Sequence, residues 1–458
     1  MVYLVSILAL VAIFAIATVR PINMGLIAFA AAFLVAPFIS NMSIDDVMSG
    51  FPGEMFIVVL GITLLFGIAQ VNGTLGTIMR AALHLVGGRR WAVAWAMFVL
   101  SALLMSLGAV LAVSMLAPIA MPLAKRYRIN PLLMSAMIGH GAFGAAFSPI
   151  TVYSVGIQEL LKDYDVVVDP LLLFVVPLGL NLAFACVAFA FLGRDIWGPE
   201  SRDIQRRIDQ ETPSPTGGPS SGTRVADTVA EPRSVHSGGG GVVTAHTEPA
   251  LDVSTLTPVP KKLNWEQGLT LTSIVALLAC AMFGVDVGVA SLIISVVLLL
   301  VCPTRVSESM KQIAWPAALL VCGVVTYMGV LTQNGTIEYL GDTAARIPSV
   351  LLTVFALLFA IGVISAVGSS FGIILIALPL AAPLMASGQV GAIPLVLAVC
   401  FCATVVDVSP FSTNGVIVLS VAQVEDKLAF QRKMLAYCGY ICVAAPLASW
   451  ALLVLPTI

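Results

Sequence analysis

Residues 407–415, DVSPFSTNG, interrupt a long apolar run that extends from about residue 393 to residue 424. An aspartate, hydroxyls, an asparagine, a proline and a glycine stand where a membrane helix is normally apolar throughout. Backbone groups cannot stay unpaired in lipid, so a helix broken at this depth has to line a protein cavity or bind a ligand. Residues 146–154, AFSPITVYS, interrupt a second apolar run in the same way.

The composition of the chain is that of a membrane protein. Of the 458 residues, 59% are hydrophobic and 10% are charged, and the mean hydropathy is +1.03. Repeated long apolar runs predict an all-α polytopic protein with the lipid bilayer as its surroundings. The net charge of −2 gives no indication of nucleic acid binding, and the eight cysteines lack metal-ligand spacing. We therefore expect no transition metal and no cofactor.

The apolar runs predict the positions of the membrane spans. We expect spans at 2–19, 21–39, 54–72, 131–161 (broken), 170–193, 266–283, 285–302, 313–332, 391–424 (broken) and 433–455. Two longer segments, 91–124 and 348–386, each have two apolar arms around a polar tip, SLG at 106–108 and GSS at 368–370. Length alone allows each of them to be two short spans or one re-entrant hairpin.

The basic residues favour hairpins. If both segments return to their own side, all Lys and Arg except Lys162 and Arg346 lie on the side of residues 194–264. The positive-inside rule makes that side cytoplasmic and both chain termini external. A full crossing by 91–124 would instead put its two flanking basic clusters on opposite sides. The second hairpin is assigned mainly by its relation to the first.

Residues 194–264 are rich in Ser, Gly, Pro and Thr and predict a disordered cytoplasmic linker. This linker separates an N-terminal half, 1–193, from a C-terminal half, 265–458. The halves share sequence anchors 261 or 262 positions apart, namely Asn72-Gly73-Thr74 with Asn334-Gly335-Thr336, Pro118 and Pro122 with Pro379 and Pro383, and Ser148-Pro149 with Ser409-Pro410. Corresponding spans cross in opposite directions. We therefore predict two inverted repeats, each with a re-entrant hairpin and a broken helix, as is typical of secondary transporters.

The motifs DVSPFSTNG and GAFGAAFSPITVY resemble those of the malonate-carrier type of dicarboxylate carriers. These carriers belong to an ion-transporter superfamily that includes the divalent anion/sodium symporters. The resemblance covers nearly the whole chain outside the linker, and SPFSTNG is its specific part. It implies a homodimer in which a transport domain shifts as an elevator against a scaffold domain.

The chain departs from this superfamily at the first hairpin tip. Its sodium/dicarboxylate symporters carry a Ser-Asn-Thr triplet at each tip. The matching residues here are Gly108-Ala109-Val110 and Ser369-Ser370-Phe371. The first tip therefore offers backbone groups only, which weakens a direct transfer of sodium-and-dicarboxylate chemistry.

Helix ends at the two breaks predict where ligands bind. The N-terminus of a half-helix suits a carboxylate, and the C-terminal carbonyls of the preceding half suit a cation. We expect substrate to bind near Ser148, Pro149, Thr151, Ser409, Ser412, Thr413, Asn414, Ser369, Ser370 and Gly108. We expect cation coupling at Asp407, His140, Gly108, Ser106 and Gly368, with any Na⁺ near Asp407 and Gly368.

Several of these residues also have a structural interpretation. Asp407 lies deep in a span, where a charge costs roughly 3 kcal/mol and usually pairs, binds a cation or takes a proton. His140 can be a packed hydrogen-bonding residue instead of a coupling group. Each proline-containing break can be a plain kink. Tyr153 and Phe411 can pack over a bound anion or fill space, and we favour packing.

Together these features predict a secondary active transporter in the bacterial cytoplasmic membrane. Its substrate would be a small dicarboxylate, malonate-like or four-carbon, and its coupling ion Na⁺ or H⁺. The sequence has no P-loop, zinc spacing or Ser-His-Asp set, which argues against an ATP-driven pump or an enzyme. The alternatives left open are the same fold with another anion (a sugar acid, a sulfonate or citrate), an ion channel and an intramembrane enzyme.

Overall fold

The computed structural model describes residues 1–20, 22–78, 89–197, 264–345 and 349–457. Within these ranges the regular secondary structure is helical and no strand occurs. Five of the described helices are long and apolar enough to cross a membrane, namely Val2–Val19, Gly53–Val71, Pro170–Leu192, Trp315–Gln333 and Lys427–Thr457. The prediction of an all-α polytopic membrane protein is confirmed.

The N-terminal half contains ten helices with described bounds. They are α1 (Val2–Val19), α2 (Met24–Ile39), α3 (Ile44–Ser49), α4 (Gly53–Val71), α5 (Arg90–Ser106), α6 (Ala112–Arg126), α7 (Pro131–Gly144), α8 (Val152–Lys162), α9 (Pro170–Leu192) and α10 (Arg194–Trp197). A further helix begins at Thr74. The predicted linker begins with α10, and its residues 198–263 lie outside the described part of the chain.

The described residues of the C-terminal half also contain ten α-helices. They are α11 (Trp265–Met282), α12 (Val287–Val301), α13 (Val306–Lys311), α14 (Trp315–Gln333), α15 (Thr336–Ala345), α16 (Val350–Ser365), α17 (Ser370–Ala386), α18 (Ala392–Val405), α19 (Thr413–Val421) and α20 (Lys427–Ser449). Helix α20 begins six positions before the predicted span at 433, because Asp426 caps it by accepting a hydrogen bond from the amide of Ala429 at 2.9 Å.

The helices of the two halves follow one another in the same order and with similar lengths, α1–α4 like α11–α14 and α5–α9 like α16–α20. The turns between them match as well. The Asn72 side chain accepts hydrogen bonds from the amide and hydroxyl of Thr74 at 3.0 and 2.6 Å. Asn334 accepts the same pair from Thr336 at 3.1 and 2.5 Å. The intervening glycines have φ of 79° and 75°, a left-handed conformation that favours glycine.

The helices pack as two groups. The scaffold group consists of α1–α4 and α11–α15, in which α2 packs on α14 and α4 packs on α12. The hairpin group consists of α5–α9 and α16–α20, in which α7 packs on α5 and α9, and α18 packs on α16, α17 and α20. The groups meet through α8 and α17, which contact α4 and α14 respectively.

Segment 91–124 forms two helices around a tip at 107–111. The start of α5 and the end of α6 lie next to each other. Arg90, the first residue of α5, donates from Nε to the carbonyl of Tyr127 at 2.9 Å and from Nη2 to that of Arg128. Tyr127 directly follows α6. In the second segment, the Trp450 indole donates to the carbonyl of Leu351 at the start of α16.

The two ends of the helix bundle differ in charge. At one end, Asn23 donates to the carbonyl of Pro316 and Arg305 donates to that of Val71, which brings together the starts of α2 and α14 and the end of α4. We call this the basic end. At the other end, three acids, Glu54, Glu159 and Asp163, line one cleft, and Lys162 at the end of α8 lies 4.0 Å from Glu54 and 2.7 Å from Glu159. We call this the acidic end.

Two glycines 262 positions apart make the closest helix crossings in the scaffold group. Helix α4 crosses α12 at Gly61, where a Cβ atom would overlap the Ser291 hydroxyl. Helix α14 crosses α2 at Gly323, where a Cβ would overlap the carbonyl oxygen of Gly25. Neither crossing leaves space for a methyl group.

We expect Gly61→Ala and Gly323→Ala each to lower the stability of the protein by about 1–3 kcal/mol, the usual effect of overpacking. The loss would oppose the helix propensity of alanine, which exceeds that of glycine. Thermal unfolding in detergent measures it. Gly439→Ala is the control, since no atom lies within 4 Å of the added Cβ. Equal melting temperatures for all three variants would contradict this account of the crossings.

Candidate functional site

The first break, between α7 and α8, is held together by one hydroxyl. Thr151 Oγ1 donates to the carbonyls of Ala146 and Ser148 at 2.6 and 2.8 Å. The same oxygen accepts a hydrogen bond from the amide of Ser154 at 3.3 Å and so caps α8. Thr151 is buried, and its hydroxyl is hydrogen-bonded to the backbone around its own loop.

The second break, between α18 and α19, repeats this arrangement 261 positions later. Ser412 Oγ donates to the carbonyls of Asp407 and Ser409 at 2.7 and 2.9 Å. It accepts from the amide of Gly415 at 3.1 Å and caps α19. A plain proline kink does not need such a hydroxyl. Both predicted substrate residues, Thr151 and Ser412, therefore lie where they shape the breaks.

Asp407 lies at the centre of a buried hydrogen-bond network. Its carboxylate oxygen Oδ2 accepts from the Ser370 hydroxyl at 3.0 Å and from the Asn414 amide at 3.4 Å. The Ser365 hydroxyl lies 3.2 Å from that of Ser370 and donates to the carbonyl of Ala403. The network connects the second hairpin tip to both halves of the second broken helix.

Asp407 has no basic partner among the described residues, because the ion pairs they form involve other acids. Its side chain is nevertheless buried, with 7% of the residue exposed. A buried carboxylate without a countercharge is unfavourable unless it binds a cation or a proton. The position therefore suits either kind of coupling ion.

A cavity of about 610 Å³ lies between the two helix groups, toward the basic end. Of the predicted site residues, three line this cavity, namely Gly368, Ser369 and Thr413. The hairpin group also contributes Val110, Val152, Tyr153, Phe371 and Phe411, and the scaffold group contributes residues from the turn between α1 and α2 and from the start of α14.

Five helices begin in the wall of this cavity. Residues from the first turns of α2, α8, α14, α17 and α19 line it, namely Met24, Val152, Pro316, Phe371 and Thr413. Each helix N-terminus presents unpaired amides and roughly half a positive charge. No acidic residue is among the described residues of the wall. The cavity is therefore electrostatically suited to an anion.

Tyr153 and Phe411 were assigned by sequence to packing, and the structure gives both a place in the cavity wall as well. The Tyr153 ring stacks on Phe371 with centroids 4.4 Å apart, joining α8 to α17. Half of Phe411 is exposed. Sequence reasoning could not find the Tyr153–Phe371 contact, because the two aromatics lie in different halves of the chain.

The first hairpin tip is placed differently from the second. The Ser106 hydroxyl donates to the carbonyl of Leu103 in its own helix at 2.9 Å. Gly108 has a φ of 98°, and a Cβ there would overlap the ring of Phe66 in the scaffold group. The structure does not bring Ser106 or Gly108 into the network of Asp407, and Val110 is the residue of this tip that reaches the cavity.

His140 is fully buried on α7, and its two hydrogen-bond partners are outside the network of Asp407. Its Nδ1 lies 3.0 Å from the Asn181 amide oxygen on α9. Its Nε2 lies 2.8 Å from the Tyr437 hydroxyl on α20. Both ring nitrogens thus have partners that join three helices, as the structural interpretation of this histidine predicts.

The other predicted residues lie within the breaks. Ser148 and Ser409 are buried, and Pro149 is half-buried. Ser409 Oγ accepts from the amide of Phe411 at 3.2 Å. Across the described ranges, no cluster of three His, Cys, Asp or Glu residues could hold a metal ion.

Comparison with protein families gives two matches. Residues 1–146 match the model of the dicarboxylate carrier protein MatC N-terminus. Residues 244–452 match the model of the Na⁺/H⁺ antiporter family. Both families are transporters. The resemblance to malonate-carrier-type dicarboxylate carriers is confirmed, and the matches support a secondary transporter and not an enzyme. Comparison with curated proteins gave no match.

We expect Thr151→Val and Ser412→Ala each to destabilise the protein by about 1–3 kcal/mol, because each removes the hydroxyl partner of one buried carbonyl, that of Ala146 or Asp407, and of one helix-capping amide. The carbonyls of Ser148 and Ser409 keep their bonds from the amides of Thr151 and Ser412. Thr151→Ser and Ser412→Thr keep the hydroxyl and should melt within a few degrees of the parent. Thermal unfolding in detergent compares all four. A stable Ser412→Ala variant would show that the break does not depend on this hydroxyl.

Proposed function

We propose that this secondary transporter moves a small dicarboxylate, malonate-like or four-carbon, coupled to Na⁺ or H⁺ at Asp407. The proposal rests on two adjacent sites that favour ligands of opposite charge. A cavity surrounded by helix N-termini lies beside a buried carboxylate that has no countercharge. Ser369 and Ser370, adjacent residues of one hairpin tip, belong one to each site.

The substrate site would lie in the cavity wall that the hairpin group supplies. The N-termini of α8, α17 and α19 provide amides and positive potential for carboxylates. Ser369, Thr413 and Tyr153 add hydroxyl groups in the same wall. Two carboxylates on a short carbon chain fit several separate N-termini better than one carboxylate does.

The coupling-ion site would lie behind that wall. Oxygens of Asp407, Ser370 and Ser365 are the type of ligand that Na⁺ takes, and the C-terminal carbonyls of α18 lie beside them. A proton on Asp407 would remove the same unfavourable charge. Either ion would stabilise the bonds that Ser370 and Asn414 make with this loop, and hence the shape of the neighbouring substrate site.

An elevator motion is supported by where the polar contacts lie. Most long-range hydrogen bonds of described side chains stay within the scaffold group, as from Asn72 to Thr270, or within the hairpin group, as from His140 to Tyr437. Polar contacts between the groups are the Glu54–Lys162 pair and bonds of Glu159 and Tyr164, all at the acidic end. The groups could therefore slide once these contacts separate.

The remaining parts of the proposal concern orientation and assembly. The matching turns and the reciprocal packing of α6 on α19 and α17 on α8 support two repeats related by a pseudo-two-fold axis. The positive-inside rule makes the repeats inverted, the basic end cytoplasmic and the termini external. The homodimer and the bacterial cytoplasmic membrane are proposed from the family resemblance.

We expect Asp407→Asn to remove the ion dependence of transport. In proteoliposomes, uptake of labelled malonate or succinate should respond to an imposed Na⁺ gradient or to an imposed pH gradient, which identifies the ion. Asp407→Asn should lose that response and at least tenfold of the driven uptake while staying folded. Glu425→Gln, which removes an exposed acid, is the control. An unchanged ion response would exclude Asp407 from coupling.

We expect Ser369→Ala and Thr413→Val to raise the KM for the dicarboxylate by about three- to tenfold, since each removes one hydrogen-bonding hydroxyl from the cavity wall. Their ion dependence should stay that of the parent. Ser106→Ala, at the other tip, should transport normally because its hydroxyl bonds within its own helix. If a sugar acid, a sulfonate or citrate alone is transported, the proposed location of the site is retained and the proposed dicarboxylate substrate is wrong.

A further inference from the structure

Arg20 occupies a distinctive place in the cavity. It follows α1 and is the one charged residue among the described residues of the cavity wall. Its side chain is exposed and takes part in no ion pair with a described residue. The nearby Asn23 is not available to a ligand in the same way, because it donates to the carbonyl of Pro316 and caps α2.

A basic residue at the end of a membrane helix also has an ordinary explanation, as an anchor that fixes topology. An anchor of that kind is surrounded by lipid headgroups and water. Arg20 instead shares a cavity with Ser369 and Thr413, across the boundary between the two helix groups. A free guanidinium in such a place attracts an anion and raises its local concentration.

The equivalent turn in the second half has no basic residue. Asn23 caps α2, and Asp286 caps α12 by accepting from the amide of Val289 at 2.7 Å. Residues 283–286, FGVD, stand between α11 and α12, where the first half has Arg20 in its turn. At the start of α4, Glu54 occupies the position that Pro316 has in α14, 262 residues later.

The acidic end of the boundary between the groups has the opposite charge. A cleft of about 470 Å³ lies there, and Glu54, Glu159 and Asp163 line it. No Lys or Arg is among its described lining residues, although Lys162 beside it pairs with Glu54 and Glu159, so the acids remain in excess. The two ends at which substrate could enter from water therefore differ in sign.

We propose that Arg20 recruits the organic dianion at the basic-end entrance and sets its affinity there, and that the acidic-end entrance has no equivalent. This inference rests on the proposed transport of a dianion between the two ends. Arg20 belongs to the scaffold group, so its distance from the substrate site changes when the hairpin group moves. It therefore acts only while the cavity is open to the basic end. Substrate affinity is then higher from the basic-end face.

The test compares transport from each face of the membrane. Everted and right-side-out vesicles present the cytoplasmic and external faces, and initial rates give KM and maximal rate for malonate or succinate on each. The variants are Arg20→Gln and Arg20→Lys. Arg126→Gln is the matched control, since Arg126 is an exposed cation at the basic end that does not line the cavity.

We expect Arg20→Gln to raise KM about three- to tenfold on the cytoplasmic face only, with the maximal rate per inserted protein unchanged, as for loss of one partly screened charge. The parent KM on that face should rise with ionic strength, and this dependence should disappear in Arg20→Gln. Arg20→Lys should retain both properties. Arg126→Gln should behave as the parent.

Equal KM shifts on both faces, or the same shift in Arg126→Gln, would overturn the role of Arg20. So would a fall in inserted protein with unchanged KM, which is what a topology anchor predicts. A shift confined to the external face would keep the one-sided action and reverse the proposed orientation. If the parent transports no dianion while staying folded, the proposed function fails, whereas a transporting parent with an unaffected Arg20→Gln contradicts this inference alone.

Discussion

The hydrogen bonds of Thr151 and Ser412 to their own loops make the rest of the site possible. A membrane helix that stops midway leaves carbonyls and amides that lipid cannot satisfy. Each of these hydroxyls shares its one proton between two carbonyls and accepts from one amide, so that the non-helical residues of its break persist in an apolar interior. The amides at the N-termini of α8 and α19 are then available at the cavity, whereas in a continuous helix they would bond to the preceding turn.

The same geometry separates opposite charges over a short distance. Helix α19 begins with a positive N-terminus at the cavity, while α18 ends beside the Asp407 carboxylate. Ser369 and Ser370 connect the two environments, since one residue lines the cavity and the next donates to Asp407. A cation at Asp407 and an anion in the cavity would therefore stabilise the same hairpin tip. This is the physical basis for coupling in the proposed mechanism, because each ion improves the site of the other.

The sequence predicted the features that follow from its apolar pattern, its repeated motifs and its composition. The breaks at Ser148-Pro149 and Ser409-Pro410 and the matching Asn-Gly-Thr turns lie where the apolar pattern placed them. The direction in which each side chain points could not be predicted the same way. Thr151 bonds to the backbone of its own loop, His140 bonds to side chains on two other helices, and Arg20, which the sequence uses as a topology signal, also lines the cavity. Those outcomes depend on contacts between distant parts of the chain, which one sequence does not reveal.

The distribution of polar contacts is compatible with the proposed elevator motion. His140 joins α7, α9 and α20 through Asn181 and Tyr437, and this keeps the first broken helix fixed to helices from both halves. Such buried bonds are costly to break, because each partner left alone is desolvated. At the boundary between the groups, Phe66 packs against the first tip, and apolar surfaces of this kind can exchange partners without leaving polar groups unpaired. The polar Glu54–Lys162 pair is exposed at one end, where water replaces it at little cost. The proposed elevator motion would therefore take place along this boundary.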